Sequence, residues 1–321
     1  MNFYAKILAL LLTLFTASIA PAAEFPTKPI KLVVPFPPGG AVDALGRLVG
    51  QKTSEILGQP IVIDNRAGAA GSIGTDIVAK STPDGYTLLM GSTSSLSVIP
   101  NLQKVPYDPI KDFTPVSLVA YIPHVLVINN DVPAKTLAQF IAYAKANPGK
   151  LSYASSGNGT PHQIAVEMFK KMSGVFIVHI PYKGTAPGLT DLMSGQVALM
   201  SVELSTALPY IKAQKIRPLA LLAPTRSSFA PDIPTAAQAG LPGLDITSWY
   251  GVVAPAGINR ETLNTLGTAI AKAVKSPDLN DKILGMGATP VGDTPEEFNV
   301  FMRKESAKWA KAIKESGAVA D

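Results

Sequence analysis

Two β-rich runs, VSLVAYIPHVLVINN at 116–130 and LDITSWYGVVAPAG at 244–257, are longer than one ordinary strand and constrain the chain more than any other feature. Before the first, short strands and helices alternate: KPIKLVVPF, QPIVIDNR and YTLLMGS read as strands, LGRLVGQKTSEIL and GTDIVAKS as helices. A second series lies between the two runs. Thr136 is placed to cap a helix ending near Asn147, LSYASSG reads as a strand, and Pro161 opens the helix TPHQIAVEMFKKMSG. VFIVHIPY, VALMSVE and IRPLALLA complete that series as strands. Such alternation predicts mostly parallel sheets covered by helices. Two series separated by two overlong runs predict two lobes, 24–122 with 246–321 and 123–245, each run crossing between them as a hinge. The C-terminal part is helical. Thr294 and Glu297 form a capping box for the last helix, on which Phe298, Met302, Trp309 and Ile313 share an apolar face, so Trp309 reads as core.

The first 22 residues read as an export signal: Lys6, an apolar run from Ile7 to Phe15, then Ala20 and Ala22 in an A-x-A arrangement. The run is too short to span a bilayer comfortably. The chain has no cysteine, which excludes a lipid anchor on cysteine, a disulfide, a thiolate nucleophile and a cysteine-ligated metal. Stability must come from packing, for which the roughly 298 residues left after cleavage suffice. Lys and Arg exceed Asp and Glu by 28 to 23, but they are scattered without a basic block or basic-aromatic stripe, so nucleic acid is not an expected partner.

Four strand-to-helix loops are rich in small residues and poor in charge: FPPGGAVD (36–43), RAGAAGSIGTD (66–76), GSTSSLS (91–97) and ASSGNGTPHQ (154–163). Glycine lets a backbone approach a ligand closely, and the first turn of a helix offers unpaired N–H groups at its positive end. Such loops can hold a carboxylate without Arg or Lys, with Ser92, Thr93 and their neighbours as adjustable donors. In open α/β sheets they lie beyond the carboxyl ends of the strands, where the two lobes would face one another. Asp43 would repel an anion, so it is expected to turn toward other backbone donors as a capping group.

Enzyme signatures are missing. GAAGSIG and SSGNGT fail the dinucleotide-binding spacing, and no P-loop, G-x-S-x-G elbow or H-E-x-x-H occurs. Neither a metal nor a cofactor is expected from the three histidines, His124, His162 and His179. His162, one turn into its helix, either reaches the cleft or braces the loop. Lys183, beside Gly184, is a solvated lysine or a contact at the rim.

VVPFPPGGAVDALGR, DNRAGAAGSIGTDIVAK, ASSGNGTPHQIAVEMFKK and IPYKGTAPGLTDLMSGQVALM resemble the Bug receptors, the periplasmic solute-binding components of tripartite tricarboxylate transporters. The resemblance continues through ALPYIKAQKIRPLALLA, DIPTAAQAGLPG and SWYGVVAPAG. It implies a two-lobed periplasmic-binding-protein fold of type II, a non-enzymatic monomer that closes on a small organic carboxylate. It also implies delivery to a large and a small membrane subunit. By position, the family's first cradle falls on Phe36, Pro38, Gly39 and Gly40, and its second loop on Ala69, Gly71 and Ser72. The facing lobe contributes Ser156, Gly157, Gly159, Thr160 and His162, with Lys183 and Gly184 beside them. Many members carry Asp or Asn after the strand equivalent to VALMS, where this chain has Val202 and Glu203, which tilts the expectation toward a ligand without an ammonium group. A sensor that presents its bound carboxylate to a signalling partner is the alternative function.

Overall fold

The computed structural model describes residues 25–318, so the expected signal at 1–22 lies outside the described residues. The first lobe opens with β1 (Ile30–Val34), α1 (Ala41–Leu57), β2 (Ile61–Asn65), α2 (Ser72–Ala79) and β3 (Thr87–Ser92). β1 pairs in parallel with β2 on one side and β3 on the other. After β3 the chain makes a buried π-helical turn, Ser94–Val98, and a short helix, Ile99–Leu102.

The first overlong run is one continuous strand, β4 (Phe113–Ile128). The second lobe follows as α3 (Leu137–Ala146), β5 (Ser152–Ser155), α4 (Pro161–Ser173), β6 (Val178–Pro181), α5 (Thr185–Met193), β7 (Leu199–Glu203), α6 (Leu204–Lys212) and β8 (Arg217–Leu222). The second run forms β9 (Thr247–Pro255), and α7 (Arg260–Lys275), α8 (Pro277–Gly285), β10 (Thr289–Pro290) and α9 (Pro295–Ser316) close the chain. β4 changes partners along its length. Phe113 to Pro123 pair with β9, whereas His124 to Ile128 pair with β7 on one side and β8 on the other. Proline has no N–H for a ladder, and Pro123 falls where the partners change, so its place in a long strand costs little.

The sheets are therefore mixed. They are parallel where helices link successive strands (β5 with β6 and β7, as with β1 to β3) and antiparallel where β4 and β9 enter. VFIVHIPY contributes only its second half as strand, because β6 is the edge of the sheet and Phe176 before it is 61% exposed.

α9 has the expected capping box, and its apolar face serves both lobes. Phe298 and Met302 pack in the cluster around Trp249, whereas Trp309 and Ile313 join Phe140 and Phe169 in the second-lobe core. A helix thus joins the lobes as a third link beside the two crossing strands. The Trp309 indole is buried and its Nε1–H donates to Glu305 at 3.0 Å. Removing so large a buried ring leaves a cavity, and Trp309→Ala is expected to cost about 3–5 kcal/mol in a urea unfolding curve. A loss under about 1 kcal/mol would mean that α9 is not anchored in the second-lobe core.

Candidate functional site

The turn after β1 contains two glycines with different physical roles. Gly39 has φ +95°, a conformation that side chains disfavour, whereas Gly40 is extended with φ −95° and ψ 173°. The turn is held from behind by Asp43, whose Oδ2 accepts the Gly39 N–H at 3.3 Å. Arg47 Nε donates to both Asp43 oxygens at 3.1 Å, and Asn65 donates to Oδ1 at 2.9 Å and to the Phe36 carbonyl at 3.0 Å. Burial works to raise the Asp43 carboxyl, but the bonds from Arg47, Asn65 and Gly39 outweigh it and hold the group below its ordinary value. Asp43 is spent on the protein, and Gly40 is the glycine that opens onto the space between the lobes.

That space is a narrow cavity between the lobes. Three helices begin at its wall: α1 after Gly40, α4 after Thr160 and α5 after Gly184. None of these three has a side-chain cap, although α3, α7 and α9 are capped by Thr136, Asn259 and Thr294. The first-turn N–H groups of Ala41, Val42, His162 and Thr185 therefore have no intrahelical acceptor, and all four residues line the cavity. Ser92, Thr93 and Ser94 add hydroxyls, Phe36, Pro37 and Pro161 add apolar surface, and the lining contains no Lys or Arg.

The lobes touch across this space. Ser94 Oγ shares its one proton between Ala70 O at 3.0 Å and Gly159 O, on the other lobe, at 3.2 Å. A Cβ on Gly184 would lie 3.1 Å from Pro37 Cγ, and one on Gly40 would lie 3.6 Å from Thr185 Oγ1.

Of the residues singled out in the sequence, Phe36, Gly40, Ser92, Thr93, Ser156, Thr160, His162 and Gly184 line the cavity. Ala69, Gly71, Gly157 and Lys183 instead line a neighbouring depression, which shares Phe36, Pro37, Ser156 and Gly184 as a wall. Pro38, Gly39, Ser72 and Gly159 line neither. Pro38 is exposed and its place is taken by Pro37, while Ser72 is buried at the start of α2. Gly159, with φ +74°, leaves room for the Ile99 side chain, and Gly71, with φ +92°, seats the Phe36 ring. The GSTSSLS loop leads into the buried π-helical turn and not an open helix end, and its Ser92 and Ser95 hydroxyls lie 3.3 Å apart.

Sequence reasoning missed Thr185, Ser248, Tyr250 and the role of Glu203, all at the cavity wall. Glu203 is buried at the end of β7. Its Oε2 lies 3.0 Å from His162 Nε2, and its Oε1 accepts the Tyr250 hydroxyl at 2.8 Å. Burial acts to raise this carboxyl, but the His162 ring, its hydrogen bond and the Tyr250 hydroxyl outweigh burial and hold it well below the ordinary range. An ionised carboxylate only accepts, so His162 Nε2 carries a proton. His162 Nδ1 lies 2.8 Å from Ser156 Oγ.

The His124 ring meets that of His162 edge-on at 5.0 Å and is held between Ser201 at 3.1 Å and Ser248 at 2.8 Å. Burial drives its pKa down to about 3, so it is neutral and forms no ion pair with Glu203, 3.9 Å away. Among the described residues no such cluster is arranged to hold a metal ion.

Two lobes on crossing strands, closing over a cavity walled by helix N-termini, define a solute-binding receptor. The chain belongs to the tripartite tricarboxylate transporter family receptors, whose family profile matches residues 45–318. BugT of Bordetella pertussis is 38% identical over 311 residues, covering 94% of this chain and 94% of that protein. An R. palustris protein solved with adipate has a TM-score of 0.89 at 38% identity, covering 92% of this chain and 99% of that one. MatC from Rhodopseudomonas palustris with bound malate has a TM-score of 0.86 at 31% identity, covering 90% and 100%.

The buried His124 makes the fold acid-sensitive. Its folded pKa of about 3 lies below the ordinary 6.5, so the unfolded chain binds a proton that the folded one refuses. The stability it contributes is whole above pH 6.5 and is lost as pH falls toward 3, at up to about 1.4 kcal/mol per pH unit. His124→Gln should flatten the dependence of melting temperature on pH across this window. An unchanged slope would show that His124 is protonated in the folded protein.

Proposed function

We propose that this chain is a periplasmic receptor that captures a small organic carboxylate and passes it to the large and small membrane subunits of a tripartite tricarboxylate-type transporter. It acts as a monomer without catalysis. The observation that carries the reading is the convergence of three helix N-termini without side-chain caps on one cavity whose lining has no Lys or Arg. Each such terminus carries a partial positive charge and open N–H donors, which suits a carboxylate and repels an ammonium group. Each oxygen of Glu203 already makes one hydrogen bond, with His162 or Tyr250. The ligand in this reading is a carboxylate without an amino group, and the adipate and malate of the two relatives are of that kind. The lobes are divided at 122/123 and 245/246, and the export signal ends near Ala22.

The two neighbouring glycines give a paired test. Gly40 has a backbone that any residue adopts, so Gly40→Val should fold, while its branched side chain reaches toward Thr185 and covers the amides of α1. Losing one or two charge-assisted hydrogen bonds, at about 1.5–3 kcal/mol each, weakens binding roughly tenfold to several thousandfold. Gly39→Ala should do the reverse, costing about 1–3 kcal/mol of stability from strained backbone while the folded protein keeps its affinity. Melting curves with a panel of organic acids, adipate and malate included, followed by calorimetric titration, measure both effects. Normal affinity in Gly40→Val would reject the cradle.

A further inference from the structure

A side chain of the first lobe is seated in the second lobe beside the cavity. Ile99 opens the short helix after the π-helical turn and is 2% exposed. It fills the notch at Gly159, where a Cβ would overlap Ile99 Cδ1 and lie 3.4 Å from Leu102 Cδ2. The shared Ser94 proton reaches the Gly159 carbonyl at 3.2 Å, so the same residue is met by a polar and an apolar contact. Val98 and Leu102, which flank Ile99 in the chain, pack in the second-lobe core with Ile164 and Phe169.

Both sides of this contact are held firmly. In the first lobe the Tyr107 hydroxyl donates to the Ser95 carbonyl at 2.6 Å. Asn101 Nδ2 donates to the Ser97 carbonyl at 2.7 Å and reaches Ser306 of α9 at 3.3 Å. In the second lobe the Gly159 N–H donates to Gln163 Oε1 at 2.7 Å, and Thr160 Oγ1 donates to the Gly157 carbonyl at 2.8 Å. These bonds join the loop to the first turn of α4, so a push on Gly159 is passed to that turn. Pro161 has no N–H, which leaves the His162 amide as the first open donor of α4 at the cavity. Hydrogen bonds weaken steeply with poor alignment, so the seating of this turn decides what that donor is worth.

Resting on the carboxylate-receptor reading, we propose that Ile99 is a positioning residue for the ligand: seated at Gly159, it sets the N-terminus of α4 against the cavity from the opposite lobe. Ile99 borders the neighbouring depression and not the cavity, so it acts through Gly159 and α4. The rival account is purely structural. Gly159 has φ +74°, reason enough for a glycine, and Ile99 would then be core and nothing more.

Calorimetric titration of Ile99→Val, Ile99→Ala and Ile99→Leu with adipate separates the two, at a temperature where melting curves show each variant folded. If adipate gives no melting shift in the wild type, the panel acid with the largest shift takes its place. Ile99→Val removes the inserted δ-methyl with little harm to the fold, and its affinity should fall about threefold. Ile99→Ala should lose about tenfold, the worth of one weakened charge-assisted hydrogen bond, mostly through faster dissociation. Ile99→Leu keeps a δ-methyl and should bind within about twofold of the wild type. In proton–nitrogen spectra of Ile99→Ala at saturating adipate, the His162 amide should shift less than in the wild type, while Ala41 and Val42 shift as before. Wild-type affinity in Ile99→Val and Ile99→Ala, whatever their melting temperatures, overturns the proposal, and so does weaker binding with an unchanged His162 shift. Ile99→Val carries the test if Ile99→Ala does not fold. Either contrary result leaves the receptor reading intact. A panel in which no acid raises the wild-type melting temperature overturns that reading, and this proposal with it.

Discussion

Helix N-termini that open onto a cavity without side-chain caps leave N–H groups that need an acceptor, and the rest of this architecture is arranged around that need. α1 comes from one lobe and α4 and α5 from the other, so one anion can satisfy all three ends only when the lobes approach each other. The long strand β4 runs through both halves of the fold, pairing with β9 up to Pro123 and with β7 and β8 beyond it. α9 joins the halves as well, since its ends lie in different cores.

Glu203 is the counterweight. A carboxylate in the wall of an anion site is tolerable only if its oxygens are occupied and its charge is balanced, and His162 and Tyr250 occupy them from opposite lobes. Removing one partner of such a buried set leaves an uncompensated charge, which is why the cluster orders the cavity as well as lining it.

Much of this was legible in the sequence, for local reasons. The alternation of strand and helix, the two overlong runs, the capping box at Thr294 and the apolar face of the last helix are each encoded within one stretch of chain. The loops that border the cavity were legible too, because small residues before a helix are a local signal. The difference between Gly39 and Gly40 was not, since it depends on a backbone angle and on Thr185 across the cleft, 145 residues away along the chain. For the same reason Pro37 could not be told from Pro38. His124, His162, Glu203 and Tyr250 come from four separate elements, and only the closing of the sheets brings them together. In SWYG, period-two alternation would have separated Ser248 and Tyr250 from Trp249, but the pattern alone did not say which face met the cavity.

Carboxylate binding at these helix ends is tested most directly by which backbone amides respond to the ligand. Proton–nitrogen correlation spectra recorded while adipate is titrated to saturation report each amide separately. The predicted result is that the Ala41, Val42, His162 and Thr185 amides show the largest downfield proton shifts, as expected of N–H groups that gain an ionic acceptor. Shifts confined to Gly68, Gly71 and Lys183 in the neighbouring depression, with those four amides unmoved, would contradict it.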